Sequence, residues 1–220
     1  MNPVLTSILT FTVFCVLTLM LRFCIKNDSD MKDSDKHKGV LKNTMLFAVS
    51  FPAVNICLIT AYGSVAKILY MAFILLYLMF SAYFDLFYKQ IYSRPSIALT
   101  AANYIILIMC VCLGADIKII IYTVTYSFLI TVIFRLTKFG KGDIMLLYAY
   151  ISSLAVLSID MPAYDYIHIV TGSFVCSLFV YVFYAGVCKI YRLLKKSTEK
   201  VYAFAPSVLI SALLTIMVFY

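Results

Sequence analysis

The chain has 220 residues, of which 64% are hydrophobic and 13% charged, and its mean hydropathy is +1.00. A soluble domain of this length could not hide so much apolar surface, so the composition excludes a water-soluble globule and indicates one membrane-embedded domain over residues 1–220. The net charge of +8 would raise nucleic-acid binding in a soluble protein; here it reads as a topology signal, and no nucleic-acid partner is expected.

A helix needs about 20 apolar residues to cross ~30 Å of hydrocarbon. Eight runs approach that length: 3–25, 43–62, 66–84, 95–114, 117–134, 143–159, 166–188 and 201–220. They predict an all-α polytopic membrane helical bundle of about eight transmembrane helices. No Lys or Arg precedes the first run and positive charges follow it, so it is expected to stay as an N-out helix rather than to act as a cleavable signal peptide. The main polar interruption is 26–42, KNDSDMKDSDKHKGVLK, read as a flexible loop on the membrane surface.

Alternate loops divide the cations unequally. One side receives sixteen Lys and Arg: Arg22, the cations of 26–42, Lys89, Arg94, Arg135, Lys138, Lys141 and those between Lys189 and Lys200. The other receives only Lys67 and Lys118. The positive-inside rule then puts the cationic side in the cytoplasm of a multi-pass cell-membrane protein, with both termini outside.

The seven cysteines, Cys15, Cys24, Cys57, Cys110, Cys112, Cys176 and Cys188, form no CxxC and lie in or beside apolar runs. They are expected to be buried reduced thiols rather than disulfide or zinc sites. His37 and His168 are too widely separated to suggest a metal site, and no metal or cofactor is expected. Most of the eighteen tyrosines and ten methionines are read as span packing and interfacial anchors.

Two aspartates stand apart. Asp85 closes the apolar run 68–84, and Asp143 opens the run 144–159 behind Gly140-Lys141-Gly142. An ionisable group at the edge of a membrane span is costly and suggests function. Two expected spans separate the pair, so both return to the cytoplasmic boundary. Asp116, Asp160 and Asp165 fall on the other side, Asp28, Asp30, Asp33 and Asp35 lie in the polar loop, and Glu199 is flanked by lysines. Neighbouring carboxylates resist double ionisation and share a proton. The ionised member can activate water against a peptide carbonyl while the protonated member stabilises the oxyanion and then protonates the amine. Gly140 and Gly142 are expected to permit positive φ and the close approach of a peptide backbone. The structural alternative is that the aspartates only cap or end helices. Asp143 suits an N-cap; Asp85, at the C-terminal end of its helix, suits no cap, because the macrodipole there disfavours negative charge.

At these residues the chain resembles the type IV prepilin peptidases, membrane aspartic proteases of the GxGD type. Phe84-Asp85-Leu86-Phe87-Tyr88-Lys89-Gln90-Ile91 is similar to the family's first motif and Gly140-Lys141-Gly142-Asp143-Ile144-Met145-Leu146-Leu147 to its second. Ala203-Phe204-Ala205-Pro206 is similar to a C-terminal Pro-Phe-x-Pro element without its first proline. The resemblance covers about residue 43 to the end. It implies an endopeptidase that removes the short basic leader of prepilin-like proteins at the cytoplasmic face, with Asp85 and Asp143 catalytic and Gly140 and Gly142 in the active-site loop. The partners it implies are prepilin-like substrates, each with a basic leader and a hydrophobic N-terminal helix, and membrane lipid.

The chain also departs from the pattern. Tyr92 stands where the family has proline after isoleucine, and Met145 where it often has lysine. The zinc-binding insert of larger members, linked to methylation, is replaced by the cysteine-free 26–42, so methyltransferase activity is not expected. Archaeal preflagellin peptidases share the aspartate pair and are the nearest alternative enzyme. A transporter would place charged groups near the bilayer midplane, where these spans offer only Asn55, Asn103, hydroxyls and tyrosines. A non-catalytic part of a pilus or secretion machine is a third class, set against two intact aspartates.

Overall fold

The computed structural model describes residues 65–88, 91, 93–136, 139–195 and 203–220, together with Ile8, Phe11, Thr12 and Cys15. The expected spans 3–25 and 43–62 otherwise lie outside the described residues, as do the loop 26–42, Asn55, His37 and Glu199. Among the described residues the secondary structure is entirely helical. Six helices follow one another: α1 Val65–Tyr88, α2 Ser93–Cys112, α3 Lys118–Leu136, α4 Lys141–Leu157, α5 Ala163–Lys195 and α6 Ala205–Phe219.

Local chemistry sets their ends. Gly114, at φ 104, closes α2 in a Schellman motif, with Ala115 N–H donating to the Cys110 carbonyl and Gly114 N–H to that of Val111, each 3.0 Å. The Asp116 carboxylate then accepts the Lys118 N–H at 2.9 Å and opens α3. Pro162 precedes α5, and its carbonyl accepts the Asp165 N–H at 3.0 Å. Pro206 sits in the first turn of α6, where its missing N–H costs nothing.

Four stretches are long and apolar enough to cross a membrane: Ala66–Asp85, Ser93–Cys112, Lys118–Leu136 and Ala163–Val187. They match four of the expected runs, with ends displaced by a few residues. The runs 143–159 and 201–220 are different. Their helices, α4 and α6, have 17 and 15 residues, and 15 residues cover only about 22 Å at 1.5 Å each. The apolar character of α4 goes with burial in protein, whereas α6 buries one face and exposes Ile210, Leu214, Met217, Val218 and Phe219. α4 touches every other helix of the bundle, and eleven of its seventeen side chains are buried. A helix apolar on all sides belongs in such an interior.

α1 is also central. Of its span, 72% is buried, against 17% to 22% for α2, α3 and the span of α5, whose outer faces carry Ile108, Phe128, Phe179 and other large apolar side chains. α5 outruns the expected 166–188 and carries Lys189 and Arg192 on the helix itself rather than in a loop. No Gly or Pro interrupts 187–195, and cations near a helix C-terminus are favourable.

Polar side chains bind the helices together. Tyr70 on α1 donates to Asn103 on α2 at 2.6 Å, and the Asn103 amide donates to Ser152 and Ser153 on α4, both at 3.0 Å. Thr123 on α3 meets Tyr166 on α5 at 2.8 Å. Tyr150 on α4 bonds Ser173 on α5, which bonds Ser211 on α6 at 3.0 Å. These three tyrosines are therefore cross-helix hydrogen-bonding groups, a role added to the span packing and interfacial anchoring expected of most tyrosines. The cysteine expectation also needs correction. Cys15, Cys110 and Cys176 are half-buried and Cys112 is exposed, all as free thiols; for the last three the reason is that α2 and α5 turn much of their circumference outward, while Cys24 and Cys57 lie outside the described residues.

Candidate active site

α1 and α4 run antiparallel. The N-terminal end of α1 carries Lys67, which pairs with Asp160 just beyond the C-terminal end of α4 at 2.7 Å. Asp85, near the C-terminal end of α1, and Asp143, in the first turn of α4, accordingly share the opposite end of the bundle. The Asp85 charge reaches the Asp143 carboxyl, so the two form one electrostatic pair.

Asp85 is 5% exposed. Its Oδ2 accepts the N–H of Ala205 at 2.8 Å. Ala205 is the first residue of α6, so the carboxylate occupies an N-terminus whose N–H groups have no partner inside the helix. The unfavourable end of the α1 macrodipole is thus offset by the favourable end of α6. Asp85 does meet a helix N-terminus, contrary to the sequence expectation, but that of a helix 120 residues further along the chain.

Asp143 is half-buried at the third position of α4, and Gly140 is the N-cap. Asp143 Oδ2 accepts the Gly140 N–H at 3.0 Å, and the Gly140 carbonyl accepts the Asp143 N–H at 3.1 Å. Only the reciprocal limb of a capping box exists, because glycine has no side chain to supply the other.

Neither glycine uses the positive φ that the sequence suggested. Gly140 has φ −66, and the sole positive-φ glycine among the described residues is Gly114. A Cβ at Gly140 would stand 3.1 Å from Asp143 Oδ2, so its absence leaves room for the carboxylate. A Cβ at Gly142 would stand 2.8 Å from the Ile91 carbonyl oxygen and 2.9 Å from Ile91 Cβ. The backbone that approaches Gly142 is therefore the chain's own, from the segment after α1. Lys141 between them is exposed.

Sequence reasoning missed an aromatic knot beneath this site. Phe204, 1% exposed, lies edge-on to Phe134 at 5.5 Å and to Phe139 and Tyr181 at 5.3 Å each. The signal was present, since Phe139 adjoins Gly140 and Phe204 adjoins Ala205, but no periodicity links residues so far apart. Residues of the three segments that carry the resemblance thus meet at one end of the bundle: Asp85 and Ile91 from the first, Gly140 through Asp143 from the second, and Ala203 through Pro206 from the third. Among the described residues no group of His, Cys, Asp and Glu could hold a metal ion. Compared with known proteins, the chain matches no family model, no curated protein and no solved structure.

Proposed function

We propose that the protein is a membrane aspartic endopeptidase that removes the basic leader of type IV prepilin-like proteins. The observation that carries this reading is the pairing of Asp85 and Asp143 at one end of the helix bundle, each held by a backbone N–H donor. Two carboxylates in mutual reach hold one proton between them. The ionised carboxylate takes a proton from water as its oxygen attacks the scissile carbonyl. The protonated carboxyl hydrogen-bonds the developing oxyanion, and collapse of the tetrahedral intermediate breaks the C–N bond as the leaving amine gains a proton. The balance needs only water and peptide, with no cofactor.

The cationic asymmetry of the loops supports placing this end at the cytoplasmic face, where a leader preceding a hydrophobic helix is accessible. In this reading eight segments traverse or enter the membrane and both termini lie outside. The short loop 26–42 supports peptidase activity without methyl transfer, since seventeen mostly polar residues are too few to fold a donor pocket alone.

Co-expression with candidate prepilins, read as leader loss on a gel, tests the proposal. Wild-type protein should shorten a prepilin, and the Asp85→Asn and Asp143→Asn variants should leave it full-length. Failure to shorten any prepilin or preflagellin with a basic leader would overturn it.

A further inference from the structure

Two backbone donors hold the two carboxylates, and both donors trace to one buried ring. The Ala205 N–H on Asp85 Oδ2 directly follows Phe204 in the chain. The Gly140 N–H on Asp143 Oδ2 directly follows Phe139. Phe139 and Phe204 meet edge to face at 5.3 Å. Two further rings fix that contact. Phe134, at the end of α3, lies 4.4 Å from Phe139 and 5.5 Å from Phe204, and Tyr181 on α5 lies 5.3 Å from each.

We propose that Phe204 is the positioning residue of the aspartate pair, its ring holding the α6 start against Asp85 and, through Phe139, the Gly140 turn against Asp143. This rests on reading the pair as the catalytic dyad. Phe204 touches no reacting atom; it acts through the Ala205 and Gly140 N–H groups. The arrangement explains why a large aromatic side chain is buried at a helix N-cap, which offers no side-chain cap of its own. Edge-to-face packing is directional, so an aliphatic side chain of similar bulk fills the space without the same orientation. Displacement of a carboxylate by a fraction of an ångström changes both its donor bond and its repulsion with its neighbour.

The test uses the full chain in detergent with Phe204→Ala, Phe204→Leu and, as control, Leu154→Ala. Leu154 is 2% exposed on the same α4, about 16 Å along the helix from Asp143 at 1.5 Å per residue. A hydrophobic carbodiimide modifies carboxyl groups in their protonated form, so labelling of Asp85 and Asp143 against pH, read by mass spectrometry, follows the pair without a substrate. Both labelling midpoints should move by about half a pH unit or more in Phe204→Ala, and in the same sense but less in Phe204→Leu, because the coupling of the two charges depends on their separation. Leu154→Ala should lower thermal stability while leaving both midpoints in place. In the cleavage assay Phe204→Ala should lose about tenfold in kcat with KM little changed, as expected when reacting groups lose alignment.

Unmoved midpoints in both Phe204 variants would overturn the proposal, as would an equal movement in Leu154→Ala. Movement of Asp85 alone would overturn the link through Phe139. If the wild-type chain cleaves no prepilin yet the midpoints move as described, the peptidase reading falls and the positioning role stands.

Discussion

The Ile91 carbonyl oxygen lies 2.8 Å from the place where a Cβ on Gly142 would stand. Contacts that short do not occur at real Cβ atoms, and the obstacle is backbone rather than a side chain that can swing aside. Even Gly142→Ala must therefore push the Ile91 backbone away from α4. We expect it to cost about 1–3 kcal/mol, the usual range for overpacking, and to lose most leader cleavage. Gly142→Val should be worse, because β-branching also restricts the backbone. Lys141→Ala, at an exposed position, should leave activity near normal. Thermal melts beside cleavage rates check this; normal cleavage by Gly142→Ala would show that Ile91 yields freely.

Asp85→Asn and Asp143→Asn should each abolish cleavage while the protein still accumulates in the membrane. Asn cannot take a proton from water, although it keeps most of the shape and can still accept a backbone N–H. Asp160→Asn removes only the ion pair with Lys67, whose side chains are 70% and 24% exposed respectively. Such a pair contributes about 0–1 kcal/mol, so activity should persist. Near-normal turnover by either mutant of the pair would refute the dyad.

Much of this arrangement could be read before any coordinates. Two apolar runs between Asp85 and Asp143 require an even number of crossings, which returns both to one end. The same counting places Lys67 with Asp160, and they form an ion pair. Span length was harder to judge. Apolar content does not distinguish a helix bathed in lipid from one sheathed in protein, so 143–159 and 201–220 read as full spans although α4 and α6 are short and α4 is largely buried. Glycine also signals more than one need. Gly140 and Gly142 suggested positive φ, whereas one makes room for a carboxylate and the other for a neighbouring carbonyl. The Phe204 knot joins residues up to 70 positions apart, from Phe134 to Phe204, and such contacts leave no local pattern.

Cleavage should follow a bell-shaped pH profile. At low pH both carboxyls are protonated and no base remains; at high pH both are ionised and no acid remains. Activity therefore falls on each side of the range in which the pair holds one proton. Gly140→Ala, whose Cβ would stand 3.1 Å from Asp143 Oδ2, should move the profile without erasing it. A profile with one limb would mean that a single carboxylate acts alone.

Asn103 joins three helices through Tyr70, Ser152 and Ser153, with no exposed surface. Asn103→Leu removes the hub and leaves buried hydroxyls on α1 and α4 without that partner. The Ser152 and Ser153 hydroxyls still donate to the Ala149 carbonyl, so the loss is of three cross-helix hydrogen bonds at about 0.5–1.5 kcal/mol net each, and a clear fall in melting temperature is expected. The aspartates lie at the end of the bundle, and Ser152 is nine residues beyond Asp143 on α4, about 14 Å at 1.5 Å per residue. Cleavage by the folded fraction should therefore be largely preserved. A large loss of kcat with an unchanged melt would instead assign the hub a part in the chemistry.

The orientation of the bundle determines which substrates can reach the aspartates. Cationic loops favour the cytoplasmic side, and both Asp85 and Asp143 share the end of the helices from which Arg94, Arg135 and Lys141 emerge. In a background without native cysteines, a membrane-impermeant thiol reagent applied to intact cells should label a cysteine introduced at Asp160 and spare one at Ser197. After the cells are opened, both should react, which separates a protected face from a buried side chain. The reverse pattern would put the aspartate pair outside the cell, where the leader of a membrane-inserted prepilin does not lie, and the proposed substrate class would have to be abandoned even if both aspartates proved essential.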